Sequence, residues 1–160
     1  SVPEAVVLSD GRIRLYYVTG GDPSTGELHG IASAISNDGV DFELEREPAI
    51  ILPDLVDPGV ITLPDGTFLM VAVFLNPRRA GKPDGVYALH SSDGRSFNDP
   101  RLDPDHLPIV RDSVPERKPV DPVIVRLSNG RHKVYYWELG SPGFGEVLSL
   151  TSKAYVIIDI

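Results

Sequence analysis

The chain has no cysteine among its 160 residues, so disulfides and thiolate metal sites are ruled out. Methionine and tryptophan occur once each. Positive charge is in short supply: 15 Lys and Arg stand against 23 Asp and Glu, a net charge of −8. No basic run exceeds the Arg78-Arg79 pair. An acidic surface repels phosphate backbones, so nucleic acid is not an expected partner, and Lys-driven attachment to anionic membranes is not expected either. No apolar stretch approaches the ~20 residues that a bilayer-spanning helix needs. Cytoplasmic and exported (leader removed) locations fit this composition equally. Glycine and proline, by contrast, are plentiful at 15 each, and 41% of residues are apolar. Strong apolar runs between the Gly and Pro residues point to many turns in an ordered chain.

Three segments repeat. Val2 to Leu8, Ser9-Asp10-Gly11 and Arg12 to Val18 form the first. Val56 to Leu63, Pro64-Asp65-Gly66 and Thr67 to Phe74 form the second, and Val120 to Leu127, Ser128-Asn129-Gly130 and Arg131 to Trp137 the third. Each is a β-rich run, an Asp-Gly or Asn-Gly pair, and a second β-rich run. That is a hairpin signal, because these residues tolerate the positive φ of a tight turn. A second hairpin follows in the first two units, where Ile31 to Ile35 leads into Ser36-Asn37-Asp38-Gly39 and Val86 to His90 into Ser91-Ser92-Asp93-Gly94. Asp10 to Asp38 and Asp65 to Asp93 both span 28 residues. In the third unit Ser149 to Tyr155 keeps the serine-to-aromatic spacing, with Thr151-Ser152 in place of Asp-Gly and a last strand expected from Tyr155 to Ile160.

Four strands per unit, repeating with long Pro- and Gly-rich loops, predict an all-β fold. The expected architecture is a β-propeller of three four-stranded antiparallel blades. The blades are expected at about 1–52, 53–112 and 113–160, with no helix beyond a short turn at Asp103 to Leu107. The unbroken apolar run Phe68 to Phe74 suits a strand buried on both faces.

The Asp57-Pro58 and Asp121-Pro122 pairs opening two units, the Gly-x-x-x-x-Tyr-Tyr strands (Gly11 to Tyr17, Gly130 to Tyr136) and the Ser-x-Asp-Gly-x-x-Phe turns carry a resemblance. Together they resemble the five-bladed propeller glycoside hydrolases of the arabinanase, xylosidase and invertase clan, as a three-blade partial unit. The last motif also resembles a loose sialidase Asp box. The resemblance implies a carbohydrate-related protein with acidic residues from successive blades meeting at the channel mouth. In that pattern one carboxyl stays protonated to donate to the leaving oxygen and another, ionised, attacks or activates water.

The positions matching that pattern are Asp57, Asp121 and Glu4, each at the start of a unit, as catalytic candidates. Arg78, Glu116, Arg117, Trp137 and Glu138 are candidates for substrate binding: Arg for carboxylate or sugar-ring contacts, Trp137 for stacking. An Asp before such a strand also has a purely structural use, accepting backbone N–H bonds in a turn. The four His show no metal-ligand spacing, and no cofactor or metal is expected. A non-catalytic ligand- or protein-binding scaffold is the alternative to a glycosidase.

Three blades leave apolar blade faces uncovered. A homodimer with a six-bladed ring would cover them. The other readings are that the chain is a fragment of a longer product, or an open stack capped by loops.

Overall fold

The computed structural model describes residues 3–20, 29–45, 50–74, 81–111, 118–139 and 146–151. They form three antiparallel sheets, with no helix among the described residues. The first sheet holds β1 (Glu4–Val7), β2 (Ile13–Thr19), β3 (Gly30–Ser36) and β4 (Glu43–Leu44) in that order, with β5 (Leu52–Pro53) also paired to β3. The second is β6 (Leu55–Thr62), β7 (Phe68–Phe74), β8 (Gly85–Ser91) and β9 (Val110–Arg111). The third is β10 (Lys118–Arg126), β11 (His132–Leu139) and β12 (Glu146–Thr151). The fourth strand expected from Tyr155 to Ile160 lies outside the described residues. Asp103 and His106 close a hydrogen-bonded turn where a short turn was expected.

The sheets stack as blades, and the middle one is covered on both sides. Along β7 the side chains alternate between two cores. Phe68, Met70, Ala72 and Phe74 join Tyr87 and Leu89 of β8 against Val6, Tyr16 and Ile31 of the first blade. Leu69, Val71 and Val73 join Val86 and Ala88 against Ile124 and Val134 of the third. All seven residues of β7 are buried, which explains the unbroken apolar run in the sequence. Strand β6 lies beside both β1 and β10, so the leading strands of the three blades run side by side.

A polar clamp joins the first two blades. Arg14 pairs with Glu45 through Nε (2.9 Å) and Nη2 (3.2 Å), and Ser33 Oγ donates to the same carboxylate at 2.8 Å. Arg14 Nη1 then donates to the Asp93 carbonyl and the Tyr16 hydroxyl to the Gly94 carbonyl, both at 2.7 Å. Burial pushes the Tyr16 phenol up to about 12, so it remains a donor. Gly94 is fixed by this contact. A Cβ there would lie 2.5 Å from Arg14 Nη1 and 2.8 Å from the Tyr16 hydroxyl, at a φ of +75° that only glycine adopts without strain.

One sequence alignment is corrected by the pairing. Ser36 stands opposite Ile13 and Ser91 opposite Phe68, each two residues past the glycine of the preceding turn. Ser149 instead stands opposite Tyr135, five residues past Gly130. Ser149 is therefore not the counterpart of Ser36 and Ser91. A serine three residues early in the strand gave the same spacing to an aromatic residue by coincidence.

Candidate functional site

Both Asp-Pro pairs interrupt a strand. The β6–β7 register skips between Val56 and Gly59, and the β10–β11 register between Val120 and Val123. Each is a β-bulge with one extra residue, a device that re-aims a side chain. Asp57 and Asp121 carry φ values of +54° and +48°. Asp tolerates the left-handed region better than most residues, but a following proline restricts the preceding residue to extended conformations. The same strained dipeptide thus occurs at the same place in consecutive blades.

The two bulges meet. The Asp57 carboxylate accepts a hydrogen bond from the Asp121 backbone N–H. Burial, and then the charge of Asp121, push the Asp57 carboxyl above its ordinary value, partly offset by that bond. Asp57 is half-buried and Asp121 exposed. A cavity of about 140 Å3 opens beside Asp57 between the second and third blades. Asp57, Asp84 and Lys118 supply its charged groups, while Val56, Val73, Phe74, Pro119 and Val120 supply apolar wall. A carboxyl held towards its neutral form beside an exposed one is the arrangement that acid–base work on a polar substrate uses.

Glu4 does not occupy the equivalent position. It pairs with Tyr16, five residues past Gly11. The residues paired at that distance in the other blades are Gly59, opposite Val71, and Val123, opposite Tyr135. Pro3 therefore corresponds to Pro58 and Pro122, and the aspartate positions fall two residues before Glu4. Glu4 is half-buried and its carboxyl is raised by burial. Trp137 and Glu138 lie at the end of β11 opposite Val120 and Pro119. Glu138 is buried and faces the second blade, and its charge contributes to raising the Tyr136 phenol, after burial. Trp137 faces the other way and is 39% exposed. Arg78, Glu116 and Arg117 lie outside the described residues. Asp84 and Lys118 escaped the sequence reading because neither belongs to a repeated motif; only their places at the ends of the loops flanking the bulges put them at the cavity.

The opposite end of the blades carries a second kind of aspartate. Asp38 Oδ1 accepts the N–H groups of Val40 and Asp41 at 2.9 and 3.0 Å and the Ser36 hydroxyl at 3.0 Å. Asp93 does the same with Arg95, Ser96 and Ser91 at 2.7, 2.7 and 2.9 Å. Those bonds, from Val40 first, hold Asp38 below the usual carboxylate range. At Asp93 burial works upward, but the Ser96, Arg95 and Ser91 bonds outweigh it and the carboxyl is lowered. These are turn-building groups. Among the described residues no cluster of three His, Asp or Glu is placed to hold a metal ion.

No family model and no curated protein matches the chain. Solved structures do. An endo-arabinase from Bacteroides thetaiotaomicron superposes with a TM-score of 0.67 at 14% identity, over 92% of this chain and 54% of that one. A protein of unknown function from Dyadobacter fermentans gives 0.63 at 19% identity, over 94% and 50%. An endo-1,4-beta-xylanase, also from Bacteroides thetaiotaomicron, gives 0.60 at 14%, over 93% and 46%. The chain thus resembles propeller glycoside hydrolases in fold, and it spans about half the length of these structures.

Proposed function

We propose that the chain forms part of a carbohydrate-acting propeller, with the Asp57–Asp121 pair at the mouth as its working carboxylates. The observation that carries this reading is the meeting of two strained Asp-Pro bulges from consecutive blades, with Asp57 of the first on the wall of a cavity. Asp57, kept towards its neutral form, is the proton donor to a leaving sugar oxygen; Asp121, exposed, is the ionised partner. Lys118 and Asp84 are hydroxyl-binding groups on the cavity wall. Trp137 and Glu4, with Arg78, Glu116 and Arg117, extend the sugar-binding surface; Glu138, buried against the second blade, does not reach it. The arabinase and xylanase likenesses support a pentose polymer as the ligand class. The same reading takes the Ser36–Phe42 and Ser91–Phe97 turns as Asp boxes of structural use, and a homodimer as the form that completes the ring.

A second reading keeps Asp57 as a strut, because its bond to the Asp121 N–H ties the two blades together. Hydrolysis of a panel of aryl arabinosides and xylosides separates the two. Asp57→Asn, which keeps the shape, is expected to lose about 100-fold or more of the rate while melting no lower than the wild type. Asp121→Ala is expected to do likewise. Activity unchanged by both substitutions, or no hydrolysis and no binding of arabino- or xylo-oligosaccharides by the wild type, would end the catalytic assignment.

A further inference from the structure

The outer face of the third blade repeats the clamp that the first blade uses on the second. In β2, Arg14 and Tyr16 stand three and five residues past Gly11 and hold the Asp93–Gly94 turn. In β11, Lys133 and Tyr135 stand three and five residues past Gly130. Val134, between them, points into the core shared with the second blade, so Lys133 and Tyr135 point away from it. They share that face with Val123 and Val125, paired opposite Tyr135 and Lys133. These apolar groups are 48% and 36% exposed and Tyr135 36%. The Lys133 ammonium rests 4.7 Å from the centre of the Tyr135 ring. A cation, a phenol and an apolar floor are thus set out in the register that seats a turn elsewhere in the same molecule.

A matching turn is present at the other end of the chain. Asp38–Gly39 has the same internal bonds as Asp93–Gly94: serine hydroxyl to aspartate, and aspartate to the two following N–H groups. A Cβ on Gly94 would meet Phe68 of its own blade, at 3.2 Å, and Arg14 and Tyr16 of the neighbour. A Cβ on Gly39 would meet, among the described residues, Ile13 of its own blade alone, at 2.9 Å. Ile13 and Phe68 hold the same register position, two residues past the turn glycine. Among the described residues, none covers the side of the Asp38–Gly39 turn that a preceding blade would cover. The face around it is apolar, with Val7 65% and Leu44 59% exposed.

We propose that the outer face of the third blade docks the first blade of a second copy of this chain, Lys133 and Tyr135 donating to the Asp38 and Gly39 carbonyls. The Lys133 charge also suits the acidic turn of Asp38 and Asp41. Two such junctions, related by one twofold axis, close three blades and three blades into a ring of six, within the range that propellers adopt. Each junction has the apolar floor and polar anchors of the first-to-second blade contact. This deepens the dimer reading above and stands apart from the sugar chemistry, since mass and hydrolysis are read separately.

Sedimentation of the full chain tests it. The wild type is expected at twice the 17.4 kDa chain mass at micromolar concentration. Val7→Arg and Val123→Arg, on the two opposed faces, are each expected to give monomers that keep the wild-type circular dichroism. Mixed in equal amounts they regain a dimer, because one junction in the mixed pair is free of both substitutions. Tyr135→Phe, which removes only the hydroxyl, one from each of the two junctions, is expected to weaken dimerisation about 5- to 100-fold. A wild-type monomer at tens of micromolar overturns the proposal. So does a Val7→Arg dimer of wild-type affinity, which would mean that third-blade faces pair with each other, or a polymeric series in place of a closed pair.

Discussion

The two ends of the blades handle aspartate in opposite ways. At the turn end, Asp38 and Asp93 sit where a chain reversal offers several N–H groups to one carboxylate, and their charge is satisfied locally. At the other end, Asp57 sits on a bulge that turns it out of the ladder and towards the next blade's own aspartate. There it is half-buried, and beyond the one N–H bond from Asp121 its nearest charged influence is another acid. The first arrangement stabilises a fold; the second is disfavoured when ionised and persists only because the surrounding β6 and β10 ladders enforce it. Residue type is the same at both ends. The number of N–H donors within reach sets the difference.

The largest effect expected from breaking this contrast comes from the clamp that holds the turn end together. Glu45→Ala leaves Arg14 buried without its carboxylate and should cost about 3–5 kcal/mol in urea unfolding. Ser91→Ala removes a buried hydroxyl that joins Asp93 to the Asp93 and Gly94 N–H groups and should cost about 1–2 kcal/mol. Ser36→Ala, in the like turn, which no clamp among the described residues holds, should cost less. Charge then separates the two ends by sign. Asp93 is lowered on folding, so its charge stabilises the fold above the unfolded carboxylate value of roughly 3.9, and that contribution is lost as pH falls through the folded value. Asp57 is raised, so any stabilisation belongs below the unfolded value and is lost as pH rises through the folded one. At pH 7, Asp93→Asn should therefore lower Tm and Asp57→Asn raise it, with both differences shrinking below pH 4. At the small end, Arg12→Ala breaks an exposed pair with Asp10, 2.7 Å apart, and should leave Tm unchanged.

Much of this was legible from residue order. Asp-Gly and Asn-Gly pairs between β-rich runs located the hairpins because positive φ at a tight turn restricts the residue type. The run from Phe68 to Phe74 identified the doubly covered strand because both its faces meet apolar neighbours. Asp57 and Asp121 stood out because an Asp-Pro pair opens two of the repeated units and matches the pattern of the family they resemble. What escaped depended on register. Glu4 looked equivalent to the two aspartates because an acid near a proline was matched to an acid near a proline; pairing with Tyr16 shows that the prolines correspond and the acids do not. The bulges themselves are invisible in the sequence, since an extra residue is extra only relative to a partner strand. The open face of Lys133, Val123 and Tyr135 was likewise hidden, because an apolar strand residue reads the same whether a neighbour covers it or not.

The bulge in β6 has a consequence for length changes in the gene. Val56 and Gly59 face the same way although three steps separate them, because one residue is out of phase. Deleting Pro58 would restore an even step, leave Val56 opposite Val73 and Gly59 opposite Val71, and set Asp57 opposite Ala72. That position points into the apolar layer with Met70 and Phe74, where a carboxylate is costly. Gain or loss of a single codon, coupled to the choice of side chain beside it, is thus enough to convert a plain supporting blade into one that presents an acid, with the rest of the sheet undisturbed.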